Sequence, residues 1–198
     1  AQNDSTTGHQ YFANYYSYDD STAEAAYGPT GAQARLAVKY DAYEADSLVG
    51  MYIHFVPSVN DVSNKLFLLT VWDDNNGEPG NVLYEDNVFF PRQPEYGSNR
   101  NQFITYYFMD TMKVAVGTTF YVGWRQFDPD RLNVGLDRNI DHSEKTFYSL
   151  NNGVTWIQSA IPGSVMIRPI VSTSMDNELG VQEHQHSIAS AVIYPNPT

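Results

Sequence analysis

The chain has 198 residues, 11 Lys and Arg against 23 Asp and Glu, a formal net charge of −12 and no Cys. That charge repels nucleic acid and anionic lipid, so binding to a phosphate backbone is not expected. Without Cys there is neither a disulfide nor a thiolate metal site, and stability has to come from a hydrophobic core or from oxygen-ligated ions.

A chain of this size buries roughly 70% of its unfolded surface, enough for one domain with an extension. No apolar run approaches the roughly 18 residues of a membrane span, so no membrane insertion is expected. Residues 1–9 are polar and are expected to form a mobile N-terminal segment. Ala1 stands without an initiator Met and is read as following a processing site. From there the pattern is one of strands. The runs Gln33 to Tyr40, Leu48 to Val56, Lys65 to Trp72, Phe103 to Met109, Thr118 to Phe127 and Ser164 to Val171 are rich in Val, Ile, Tyr, Phe and Thr. The stretch Asp73 to Gly80 predicts a long hairpin loop, and Asn151-Asn152-Gly153 predicts a turn before Val154-Thr155-Trp156.

No segment carries the i, i+3, i+4, i+7 apolar stripe of a capped helix, and many short strands with Gly, Pro and Asn turns predict an all-β, antiparallel β-sandwich. Alternation places Met51, Ile53 and Phe55 in the core, with Tyr52 and His54 on the other side. It also puts Val165, Ile167 and Val171 opposite Met166, Arg168 and Ile170. Arg168, a charge on an apolar strand, requires a carboxylate or backbone carbonyls as partner. Pro169 predicts a sheet edge or a bulge. The domain is expected to span residues 10–171, with 172–190 a polar linker and no internal repeat.

Residues 191–198 run Ala191-Val-Ile-Tyr-Pro-Asn-Pro-Thr198. A short apolar run closing on Tyr194, Pro195, Asn196 and Pro197 resembles the opening of the C-terminal sorting domain of the type IX secretion system of Bacteroidetes. The resemblance implies export, to the medium or to the outer cell surface, with the secretion machinery as partner through the complete tail. It reads these eight residues as the stub of that domain. A second resemblance lies in Tyr18-Asp-Asp-Ser-Thr-Ala-Glu24, Val71-Trp-Asp-Asp-Asn-Asn-Gly-Glu-Pro-Gly80, Phe120-Tyr-Val-Gly-Trp124, Asn133-Val-Gly-Leu-Asp-Arg-Asn139 and Met166-Ile-Arg-Pro169. These strings look like an uncharacterised domain next to such tails in large secreted proteins. They imply an accessory, jelly-roll-like β-sandwich with no established activity and no catalytic residues to carry over.

Candidate chemistry follows from residue types. Asp137, Asn139, Asp141 and Ser143 place oxygen donors at every second position, a spacing able to wrap a hard cation such as Ca²⁺. The EF-hand template fails there, with His142 where the turn Gly belongs and Tyr148 where the bidentate Glu belongs. In a strand that turns into a loop, the same alternation is one solvated face. The Asp73-Asp74 pair reads as a turn, and Glu183, His184 and His186 share the linker with no third fixed ligand. No nucleophile elbow, His-Glu-x-x-His or phosphate loop occurs, so no catalytic set is assigned.

Tyr11, Tyr15, Tyr16 and Tyr18 cluster near the N-terminus, while Tyr106 and the adjacent Tyr107 force one ring away from the core. Stacked on a sugar's C–H face, such rings make a carbohydrate platform; packed on a strand, they are half-buried with the hydroxyl in water. Trp72 and Trp156 are weaker platform candidates, and Trp124 shares the parity of Phe120 and Val122, which reads as core. Two functions stand side by side. One is a noncatalytic structural or adhesion-type module that spaces or presents neighbouring domains of a larger protein. The other is a carbohydrate-binding module, calcium-stabilised, with polysaccharide as its partner.

Overall fold

The computed structural model describes residues 14–57 and 61–171. The N-terminal segment 1–9, the linker 172–190 and the tail at Tyr194 to Pro197 lie outside the described residues, as does Tyr11. Among the described residues thirteen strands run in chain order: β1 Ala25–Tyr27, β2 Arg35–Asp41, β3 Asp46–Ile53, β4 Phe67–Asn75, β5 Glu78–Glu85, β6 Ile104–Tyr107, β7 Val114–Val116, β8 Thr119–Gln126, β9 Val134–Asp137, β10 Thr146–Ser149, β11 Ile157–Gln158, β12 Ser164–Val165 and β13 Ile167–Val171. The only helical pieces among the described residues are two 3₁₀ turns, Met109–Thr111 and Ser143–Lys145.

Period-two alternation dictates the packing. On β2, Leu36, Val38 and Tyr40 point one way, as do Leu69 and Val71 on β4 and Phe120, Val122 and Trp124 on β8, all of them buried in one core cluster. The facing layer supplies Met51, Ile53, Phe55 and Tyr106. A six-stranded sheet, β11-β10-β2-β8-β4-β5, thereby packs on a four-stranded one, β13-β3-β6 with β7 also on β3. A third sheet, β1-β9-β12, joins the second layer through the Phe55–Val134 bridge. Every pairing is antiparallel, and the chain crosses repeatedly between layers, so the molecule is an all-β sandwich with jelly-roll-like connections.

The hairpin between β4 and β5 is shorter than the loop the sequence predicts. The strands extend to Asn75 and resume at Glu78, and only Asn76 (φ 56°) and Gly77 (φ 94°) turn the chain. Two consecutive residues at positive φ match the twist of the flanking strands, which is why Asn-Gly sits there. The parity expected over 165–171 breaks at Met166, which lies between β12 and β13. Its N–H donates to Gly135 O (2.9 Å), its carbonyl accepts His54 N–H (3.1 Å), and its side chain joins the core. The chain changes neighbours there, and alternation cannot run through such a point.

Arg168 finds its carboxylate in Asp19, 149 residues away, with Nε to Oδ2 at 3.1 Å and a second guanidinium contact to Oδ1. Ser21 Oγ accepts a further bond at 2.6 Å, and Phe103 and Tyr15 rings flank the guanidinium at 4.0 and 5.0 Å. The pair is buried on both sides. Pro169, which lacks an N–H, occupies the edge strand β13, and its carbonyl accepts Tyr16 N–H at 3.3 Å as the segment from Asn14 runs along that edge. Because removing one member strands a buried charge, Arg168→Ala is expected to cost about 3–5 kcal/mol. In urea unfolding this appears as a lowered midpoint, with the Asp19→Ala/Arg168→Ala double variant losing less than the two single losses added. A cost below about 1 kcal/mol would remove this pair from the framework.

Candidate binding groove beside strand β5

The residues singled out as cation donors take part in hydrogen bonds within the fold. Asp137 is buried; Oδ2 accepts Asp20 N–H at 2.7 Å and Oδ1 accepts Asn139 N–H at 2.7 Å. Asn139 donates its side-chain amide to Asp20 (3.0 Å) and Thr22 (3.3 Å). Asp141 Oδ1 takes N–H bonds from Ser143 (3.0 Å) and from Gly163 (2.9 Å), and the Gly163 bond is the largest reason its carboxyl lies below the usual range. Ser143 opens the second 3₁₀ turn. Asp137 and Asn139 thus fasten the Asp20–Thr22 turn, while Asp141 fastens Gly163. Among the described residues no group of three or more His, Asp or Glu side chains is arranged as a metal would need.

The tyrosines divide. Tyr16 packs on Tyr40 and Phe120 with centroids 6.3 and 6.2 Å apart, and Tyr18 stacks on Tyr40 at 4.8 Å. Tyr15 meets Tyr52 edge-on at 5.6 Å. Tyr106 is buried, its hydroxyl accepting Glu95 N–H at 2.9 Å, while Tyr107 is 60% exposed. Trp72 is buried outside the main core, in a cluster with Tyr121 and Phe147 on the opposite face of the six-stranded sheet, and Trp156 covers it edge-on at 5.4 Å.

A groove not marked by the sequence patterns opens where β5 ends. It measures about 510 Å³ and is lined by Tyr84, Glu85, Asn87, Phe90, Met109, Asp110 and Met112. Its frame is the carboxylate of Asp86, fully enclosed. Asp86 Oδ2 accepts Leu69 N–H (2.9 Å) and Arg92 Nε (2.7 Å); Oδ1 accepts the Tyr84 hydroxyl (2.5 Å) and a second Arg92 nitrogen (2.9 Å). Arg92 also donates to Tyr107 O at 2.6 Å, and the Tyr84 hydroxyl accepts Met109 N–H at 2.9 Å. The Tyr84 ring lies 4.4 Å from Phe108.

The loop spanning Asp86 and Arg92 is therefore pinned at both ends, and Asn87 turns it by accepting Phe89 N–H on its side chain and Phe90 N–H on its carbonyl, each at 2.9 Å. This leaves Val88, Phe89 and Phe90 turned outward, Phe89 being 82% exposed. The signal in the sequence was the run Val88-Phe89-Phe90 itself. Three consecutive apolar residues ahead of Pro91 cannot all face one side of a strand.

Glu85 is occupied otherwise. Its two oxygens pair with Arg35 (3.2 Å) and Arg125 (3.0 Å) on the outer sheet face. On the far rim Asp110 and Thr111 both hold positive φ, 55° and 53°, conformations that cost non-glycine residues about 1–2 kcal/mol each.

No protein-family model, curated protein or solved structure matches the chain. No helix among the described residues is long and apolar enough to cross a membrane.

Burial and the Asp86 carboxylate raise the Tyr84 phenol from its ordinary value of 10.0 to about 12. The folded state keeps that proton where the unfolded chain has already lost it. The contribution to stability is therefore whole below pH 10 and disappears as pH rises toward 12. The urea midpoint is expected to fall across that window in the native sequence, and to fall less in Tyr84→Phe; equal slopes would contradict it. Since Asp137 and Asp141 oxygens already accept backbone N–H bonds, the melting temperature is expected to be the same in Ca²⁺ and in chelator. A rise with Ca²⁺, removed by Asp137→Asn, would reinstate the loop as a calcium site.

Proposed function

We propose that the chain is a noncatalytic accessory module, structural or adhesion-type, of a larger protein exported by type IX secretion to the medium or the outer cell surface. Its partners are the neighbouring domains of that protein and, through the complete tail, the secretion machinery. The observation that carries this reading is where the strings of the second resemblance fall. Tyr18 to Glu24 lies against Asn133 to Asn139, joined by Asp20 N–H to Asp137 (2.7 Å), Arg138 N–H to Glu24 (2.9 Å) and Glu24 N–H to Leu136 O (3.2 Å). Val71 to Gly80 is the β4–β5 hairpin, Phe120 to Trp124 the centre of β8, and Met166 to Pro169 the segment that receives Asp19. Strings that bind one another rather than line a cleft serve a framework.

A second reading, carbohydrate binding, is supported by the aromatic rings left in water at Phe89, Phe90 and Tyr107, a costly arrangement unless something stacks on them.

Incubated with peptide, ester and glycoside substrates, the chain is expected to release no product above the blank. Turnover abolished by changing a single carboxylate would replace the accessory reading with an enzyme. In a host with this secretion system, removing everything from Ala191 onward from the parent protein is expected to leave the cargo inside the cell. Undiminished export would discard the sorting-tail reading.

A further inference from the structure

We propose that the groove between the end of β5, the loop from Asp86 to Arg92 and the Met109–Thr111 turn binds a neutral saccharide, stacked on Phe90 and hydrogen-bonded to Asn87 and Asp110. The inference rests on the carbohydrate reading and gives it a place and a ligand class.

Size comes first. About 510 Å³ lies within the roughly 300–1,000 Å³ of small-molecule sites. The lining is chemically mixed in the way a sugar ring demands. Tyr84, Phe90, Met109 and Met112 form the apolar surface for ring C–H groups. Asn87 and Asp110 stand exposed on the rim as hydrogen-bonding side chains for hydroxyls.

The sign of the ligand's charge follows from what is already committed. None of the lining residues is Lys or Arg. Arg92, at the far end of the loop beside the groove, spends Nε and one terminal nitrogen on Asp86 and Tyr107 O. Glu85 is taken by Arg35 and Arg125. An anionic ligand would meet the Asp110 carboxylate inside a molecule of net charge −12 with no cation in the lining to receive it. A neutral polyhydroxyl ligand meets no such penalty.

Peptide docking by strand addition is disfavoured by the edge itself. The β4–β5 register shifts between Val71 paired with Tyr84 and Trp72 paired with Val82, which leaves Leu83 as an extra residue, and Pro79 lacks an N–H. Bulges and proline are the devices that keep an edge strand from pairing further. Recognition has to run through side chains, and these are set in advance: the Asp86 carboxylate fixes Tyr84 and Arg92, and through them Met109 and Tyr107. The positive φ values of Asp110 and Thr111 hold the rim in a shape an unconstrained chain would not choose.

The test is affinity electrophoresis of the full chain through gels holding neutral polysaccharides (β-glucan, xylan, mannan, galactan) or acidic ones (alginate, polygalacturonate), beside sedimentation velocity. Retardation by at least one neutral polysaccharide is expected. Phe90→Ala and Asp110→Ala are each expected to weaken it at least tenfold, while Tyr43→Ala, at an exposed ring outside the lining, leaves it unchanged. Both changed side chains are exposed, so the variants stay folded under the conditions of the gel. Neutral-glycan binding that survives both changes would overturn the groove and leave the carbohydrate reading standing. Silence in every gel would overturn both. Retardation by acidic gels alone would overturn the ligand class. A concentration-dependent dimer dispersed by Phe89→Asp, with no glycan effect, would reassign the face to a second copy of the chain.

Discussion

One buried carboxylate organises the flank of this sandwich beside β5. Asp86 receives a backbone N–H from β4, a phenol from β5 and a guanidinium whose remaining reach ends on the β6 carbonyl of Tyr107. It thereby couples the edge of the six-stranded sheet to the four-stranded sheet without a covalent link. An ion pair in such a place adds little over a well-packed apolar pair, because desolvation offsets most of the attraction. What it supplies is direction. Apolar contacts hold two layers together at many angles, whereas four hydrogen bonds to two oxygens hold a loop in one arrangement. In a chain with no Cys, the buried pairs Asp86–Arg92 and Asp19–Arg168 tie segments of the fold together without a covalent bond.

How much of this could be read from the residues follows from physical range. Strands whose alternation is clean and whose neighbours bury one face, β2, β3, β4 and β8, announce themselves locally. β5 does not, because Glu78-Pro-Gly-Asn81 has turn chemistry and acquires strand geometry only by pairing with β4. β9 was concealed by Gly135, where a Cβ would lie 2.6 Å from Met166 Sδ and 2.7 Å from the His54 ring. The glycine is there for crowding, and in sequence it looks like a break. That Arg168 needs an acidic partner is local chemistry; that the partner is Asp19 is tertiary information. The same limit hid the groove. Val88 to Phe90 stands out as an apolar run, but what holds it outward is a carboxylate bonded to β4, to β5 and to Arg92 at the loop's far end.

The outer face of the six-stranded sheet shows the same economy. Ala37, Trp72, Tyr121 and Phe147 would be a wet aromatic surface in an ordinary two-layer sandwich, yet each is buried. Trp156, delivered by the turn at Asn151 to Gly153, covers Trp72, and Arg35 lies 5.9 Å over the same ring while bonding Asn152. The turn after β10 is thus a lid on a second, smaller core.

The separation of Asp19 and Arg168 along the chain has a kinetic consequence. A contact closing a loop of 149 residues gains nothing until both ends exist and the intervening strands have brought them near. Non-local sheets of this kind fold in milliseconds to seconds rather than microseconds. During synthesis the Asp19 carboxylate has no Arg168 to pair with until β13 has left the ribosome, whereas the Asn76-Gly77 hairpin needs only its immediate neighbours. The Asp19–Arg168 latch over β13 therefore closes later than the Asn76-Gly77 hairpin.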